Sequence, residues 1–256
     1  MQHLQILVIG ASVAGIAIAV ARPRETLVME SGMLFGAEFI AALQINPHAF
    51  PSFAYAEARA LREECCARGL LNARGEYHMP PLHALLARRL YDSGAQVCCY
   101  TRVLDIQPLS NRFLVTYFDA EGTHALIADH IVRTTDHEAG EKKLCAMMTG
   151  SIPPAKQEGS AQFLQGFYAD EVVLKFSVMG KTWPQARNAL HRYWQDRYQA
   201  ADLALRMASV APVFAYDFDA PIIERDAEGQ VRCVSASFPD ALSAFEGGFA
   251  CATNLL

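Results

Sequence analysis

Residues 5–30 leave this chain few choices of fold. Gln5-Ile6-Leu7-Val8-Ile9 is a nearly unbroken apolar run, as expected of a strand buried on both faces of a parallel sheet. It stops at Gly10-Ala11-Ser12-Val13-Ala14-Gly15. Residues 13–21, small and apolar, then suit a short helix closed by Pro23, since proline cannot continue into a helix interior. Thr26-Leu27-Val28-Met29-Glu30 is a second apolar strand ending in an acid. Strand, glycine turn, helix, strand is a βαβ unit. Its helix N-terminus carries backbone N–H donors and the positive end of a dipole, which is where an anion is held. Gly10 permits the tight turn, and Gly15 lets helix and strand pack closely. Ser12, standing where a further glycine is usual, is small and carries a hydroxyl donor. Glu30 lies where a carboxylate can accept both hydroxyls of a ribose and disfavours a 2′-phosphate. Gly10, Ala11, Ser12, Ala14, Gly15 and Glu30 are therefore candidate contacts for the ADP half of a dinucleotide. The plainer alternative is an α/β unit with a glycine turn and no nucleotide.

Downstream, residues 54–68 alternate apolar or small positions with Arg59, Arg62, Glu63 and Glu64, as an amphipathic helix stopped by Gly69 does. Pro80-Pro81 opens a second helix over 82–93, ended by Gly94. Strands are expected at 96–100 and 101–106, and a hairpin at 113–118 and 123–127 around Asp119-Ala120-Glu121-Gly122. A further strand runs through Ile131 and Val132 to Thr135. Residues 140–160, with Gly150, Pro153 and Pro154, read as an irregular linker. A strand at 172–178, one long helix over 184–207, a mixed segment at 215–223, a strand at 231–235 and a small-residue helix at 241–255 complete the chain. No repeat or low-complexity tract is present.

The formal net charge of −5 supplies no positive field for nucleic acid or an anionic membrane. The apolar run 4–21 lacks a basic leader and is broken at Gly10-Ala11-Ser12, which argues against a signal or membrane helix. The seven cysteines include no CxxC pair, so they are expected to be reduced thiols of a cytoplasmic protein. His78 and His83, and His124 and His130, lack a usual zinc spacing, and no metal is expected.

Residues 5–32 resemble the opening of the FAD-dependent oxidoreductases of the glutathione-reductase structural class. Later landmarks recur in order. Leu82 to Gly94 with Gln96-Val97 and Thr101-Arg102-Val103 resembles the helix and strand that return to the FAD domain. Ala128 to Thr135 resembles the strand that normally ends Ala-Thr-Gly. Ala244 to Ala250 resembles a final helix facing the flavin. The resemblance implies an α/β fold: a Rossmann-like FAD-binding domain with a central parallel sheet, discontinuous over 1–150 and 226–256, and a small inserted α+β substrate or cap region at 151–225. It implies FAD as cofactor and extends the cofactor contacts to Ser31, Val103 and Thr135. The chain departs from the family where Asp136 follows Thr135, and where Val234-Ser235-Ala236-Ser237 replaces the usual Gly-Asp. Ser235 or Ser237 can replace a hydrogen bond of that aspartate but not its charge. No second GxGxxG for a nicotinamide cofactor is present.

Gly247 and Gly248 in the last helix would cost about 1 kcal/mol each against alanine if exposed. They point either to a flavin passing close by or to a helix contact that needs small residues. Candidate chemistry elsewhere is thin, because a flavin does the redox step itself. Tyr77 and His78 stand before the returning helix, with Arg74 able to clamp a carboxylate, and His137 follows a strand end beside the expected crevice; both groups also suit plain surface turns. Three functions remain open: an FAD-dependent oxidoreductase of a small organic substrate, a non-catalytic relative that serves as a binding or assembly module, and an NAD-dependent enzyme of another Rossmann family. A homo-oligomer or a protein partner is left open.

Overall fold

The computed structural model describes residues 2–45, 52–135, 140–152, 157–200 and 205–255. The chain begins with β1 (Gln2–Ile9), α1 (Val13–Ala21) and β2 (Thr26–Met29), followed by three helices, α2 (Ala37–Ile40), α3 (Ala56–Ala67) and α4 (Leu82–Ser93). Then come β3 (Gln96–Cys98) and an antiparallel meander of β4 (Arg102–Leu109), β5 (Arg112–Asp119) and β6 (Gly122–Arg133). A second group follows: β7 (Glu141–Thr149), β8 (Gln157–Glu158), β9 (Ala161–Gln165), β10 (Glu171–Ser177), α5 (Trp183–Ala200), β11 (Arg206–Val210) and β12 (Ala215–Asp217). The chain then returns through β13 (Ile222–Arg225), β14 (Val231–Val234), a 3-10 turn over Ser235–Ser237 and α6 (Ala241–Asn254).

Two sheets result. The first runs β13-β14-β6-β1-β2-β3, with β14, β6, β1, β2 and β3 mutually parallel. The long β6 shares one edge between two partners: its first half pairs β5, and Val132 and Arg133 pair β14. Burial on both faces explains the unbroken apolar β1. Ile6 and Val8 face α1, α3, α4 and α6 in one cluster, while Leu7 faces the other way, onto Phe113, Val115 and Leu126 of the meander.

The second sheet is antiparallel, β11-β7-β10-β9-β8, with β12 also on β7. Leu144, Ala146 and Met148 face α5 through Ala186 and Leu190. Cys145 and Val173 face the other way and meet Ala42, just after α2.

Four sequence expectations change. Residues 141–149, read as linker, form β7, the strand around which the second sheet is organised. They lack a clean polar face because both faces are covered. The long helix ends at Ala200 rather than 207, because Arg206–Val210 pairs with β7, and tertiary pairing overrides local propensity. The second sheet therefore opens at Glu141 and closes at Asp217, and β13 already belongs to the first sheet, whereas the insert was placed at 151–225. The expected strands at 123–127 and 131–135 are one continuous β6.

α6 lies against α1. A Cβ on Gly248 would sit 2.3 Å from the Ala14 carbonyl oxygen and 2.6 Å from Ala17 Cβ. Backbone cannot yield as a flexible side chain does. Gly248→Val is expected to destabilise the ligand-free protein by about 1–3 kcal/mol, the usual cost of overpacking, measured by urea unfolding.

Candidate functional site

The strand-to-helix turn is built as its sequence requires. Gly10 has φ +101°, and a Cβ there would meet Thr135 Cγ2 at 2.4 Å. The Thr134 hydroxyl donates to the Ile9 and Gly10 carbonyls at 3.0 and 3.1 Å, joining the end of β6 to the turn. Gly15 is glycine because a Cβ would fall 2.4 Å from the Gly10 carbonyl oxygen. Ser12 is the N-cap of α1, its hydroxyl oxygen accepting from Gly15 N–H at 3.1 Å.

The first backbone donors of such a helix have no partner within it. Here those of Val13, Ala14 and Gly15 each meet an oxygen of the chain itself, as does Ala11 N–H in the turn before the helix. Ala11 N–H donates to Glu30 Oε2 at 2.7 Å, and Glu30 Oε1 accepts from Gly32 N–H at 2.8 Å and from the Ser31 hydroxyl at 3.2 Å. Val13 N–H donates to Glu38 Oε1 at 2.8 Å. Ala14 N–H donates to Ser235 Oγ at 3.1 Å, and the Ser235 hydroxyl donates in turn to Glu38 Oε1 at 2.6 Å.

Glu38 is 8% exposed. Burial raises its carboxyl above the usual value, opposed by the hydrogen bonds from Ser235 and Val13, with the like charge of Glu30 raising it further. A folded-state value raised in this way means that Glu38 supports the fold while protonated, below its ordinary value near 4.5, and that this support is lost as pH rises through the raised value. The melting temperature of the parent minus that of Glu38→Gln should therefore fall as pH rises above about 4.5; a pH-independent difference would remove the buried charge from the account.

The other expected contacts are placed as follows. Val103 packs against the Leu7, Leu27 and Met29 cluster. Thr135 is exposed beside Gly10. Gly247 faces Phe238, whose Cζ would lie 2.1 Å from a Cβ, and Gly248 faces α1, so packing accounts for both glycines without a ligand. The α6 N-terminus is capped by Asp240, which accepts from Leu242 and Ser243 N–H. Tyr77 donates to Asp240 Oδ1 at 2.8 Å and is buried, and desolvation together with Asp240 holds its hydroxyl proton well above the usual range. His78 stacks on Phe167 and meets Tyr168 edge-on. Arg74 is not a free clamp: its Nε donates to Glu76 at 2.6 Å. His137 lies outside the described residues. Ser237 serves the fold, accepting from Ile222 N–H and donating to the Val234 carbonyl. Glu38 was missed by sequence reasoning, since an acid in a short glycine-flanked stretch gives no sign of folding back onto a helix start 25 residues earlier.

Two cavities lie between the inner face of the second sheet and the first unit. One of about 350 Å³ is mostly apolar and is lined by Leu43, Tyr77, His78, Met79, Met147 and Tyr168 among others. The other, about 400 Å³, contains the Lys175–Asp217 ion pair at 2.6 Å beside Gln44 and Pro239. Among the described residues no cluster of three metal-ligating side chains occurs, and no helix is long and apolar enough to cross a membrane.

No protein-family profile matches the chain, and no curated protein does. Solved structures do. The p-nitrophenol 4-monooxygenase of Pseudomonas putida DLL-E4 is similar with a TM-score of 0.55 at 11% identity, over 100% of this chain and 79% of that one. The myxobacterial chondrochloren halogenase, described as a variant of FAD-dependent halogenases, gives 0.59 at 16% over 98% and 73%. Aklavinone-11 hydroxylase, solved with FAD and aklavinone, gives 0.52 at 12% over 100% and 62%. The chain shares the fold of these proteins. This bears out a Rossmann-like flavoprotein fold with an inserted region, while the similarity does not single out the glutathione-reductase class.

Proposed function

We propose that this chain is an FAD-dependent oxidoreductase acting on a small organic substrate. The observation that carries the reading is the turn itself: an α1 N-terminus whose donors converge on carboxylate and hydroxyl oxygens, with Glu30 following at the end of β2, in a fold shared along the whole chain with flavin hydroxylases. The residues fit the ADP half in kind. Glu30 would hold the ribose, and the Val13 and Ala14 N–H groups with the Ser235 hydroxyl would hold the diphosphate. A bound flavin supplies the redox chemistry.

The chain's own residues bind, orient and exclude water. Tyr77, locked to Asp240 with its proton held tightly, positions the α6 N-terminus rather than exchanging protons. His78, between Phe167 and Tyr168, faces the apolar cavity that takes the substrate. Within the wider group of flavoproteins we place the chain, on residues 5–32, in the glutathione-reductase structural class. Seven unpaired cysteines support a cytoplasmic location. A second reading, the fold kept as a binding or assembly module, is favoured by the Glu38 carboxylate on the donors that a diphosphate needs.

Titration with FAD and NADH separately tests the proposal. FAD is expected to bind and NADH not, and Glu30→Ala should weaken FAD about tenfold, as loss of charge-assisted hydrogen bonds does. Absence of FAD binding up to about 1 mM overturns the reading.

A further inference from the structure

We infer that Glu38 is an internal substitute for the diphosphate, seated on the α1 N-terminus and exchanged for the cofactor when it loads. This rests on the nucleotide-binding reading above. The donors decide it. Val13 and Ala14 are the backbone N–H groups that a diphosphate at this turn would use, and one meets the Glu38 carboxylate while the other meets a Ser235 hydroxyl that itself donates to that carboxylate. Two anions cannot share one buried donor set, because their mutual repulsion in a low-dielectric site is not screened by water. Ser235 is the pivot: its O–H now points at Glu38 and would point at a phosphate oxygen after exchange.

The segment carrying Glu38 is short and set off from the chain on both sides: α2 lies between two residues with left-handed backbone, Gly36 at φ +70° and Leu43 at φ +52°. The residues just after it, Ala42 to Ile45, rest on the inner face of the second sheet between the two cavities, Leu43 and Ile45 lining the apolar one and Gln44 the polar one. Loading of the nucleotide is thereby tied to the shape of the space where a substrate would lie.

The test uses the whole chain, with FAD and ADP as probes. Affinity is measured for parent, Glu38→Gln and Ser235→Ala by flavin fluorescence quenching and calorimetry. Glutamine keeps an acceptor for Val13 N–H but no charge, so FAD should bind Glu38→Gln at least about tenfold more tightly than parent. Ser235→Ala, which frees the carboxylate but removes a phosphate donor, should not show that gain. Independently of any variant's folding, saturating FAD should speed hydrogen–deuterium exchange at residues 37–42 of the parent. Equal or weaker FAD binding by Glu38→Gln, or protection of 37–42 by FAD, overturns the exchange while leaving the cofactor reading intact. Failure of both proteins to bind FAD or ADP overturns both.

Discussion

The N–H groups at and just before the start of α1, which no helical carbonyl can meet, are the constraint on which the rest of the molecule turns. A helix that begins inside a parallel sheet cannot give these donors to water, so oxygen must come from elsewhere in the chain. It comes from three distant places: the end of β2 through Glu30, α2 through Glu38, and the turn before α6 through Ser235. The same contacts hold α2 over the turn and fasten the returning C-terminal segment to the N-terminal one. Anion demand and fold assembly are one requirement in this protein.

A competing carboxylate in such a place has a physical logic apart from any ligand. The positive end of the helix favours negative charge, while burial penalises it, and the raised Glu38 carboxyl records that opposition. An ion held in this tension leaves more readily than one seated in a fully compensated network. The ion pair of Lys175 and Asp217, by contrast, is matched charge for charge on the wall of its cavity.

Much of the fold was legible where one rule governs one residue. Gly10, Gly15 and the apolar β1 imposed the βαβ unit, and Gly94, with φ +76°, ended α4 where expected. Legibility failed where distant partners decide. β7 lies between two covered faces, so it carries no alternation. Arg206–Val210 becomes a strand only because β7 offers an edge. Gly247 and Gly248 announced a close approach correctly, but only the three-dimensional arrangement says that Phe238 and α1 make it. In the site, Glu30 was readable from its distance to the turn and Ser235 from the resemblance, as one of two serines able to replace a hydrogen bond, although its contact spans 221 residues; Glu38 acts through a contact 25 residues away that no motif announces.

The shared edge of β6 has a consequence for how the chain comes to be folded. β14 must find the end of β6 beside β5, and α6 must cover α1, which was made more than two hundred residues earlier. The second sheet, built largely from neighbouring antiparallel strands, has no such wait. Contacts of long sequence separation form slowly, because loop-closure entropy is lost before they reward it. On the ribosome, the β7–β12 segment is therefore free to fold first, as an island in an unfinished polypeptide. The apolar flank of α1 stays uncovered until the last helix is synthesised, and that flank is the surface a chaperone would meet.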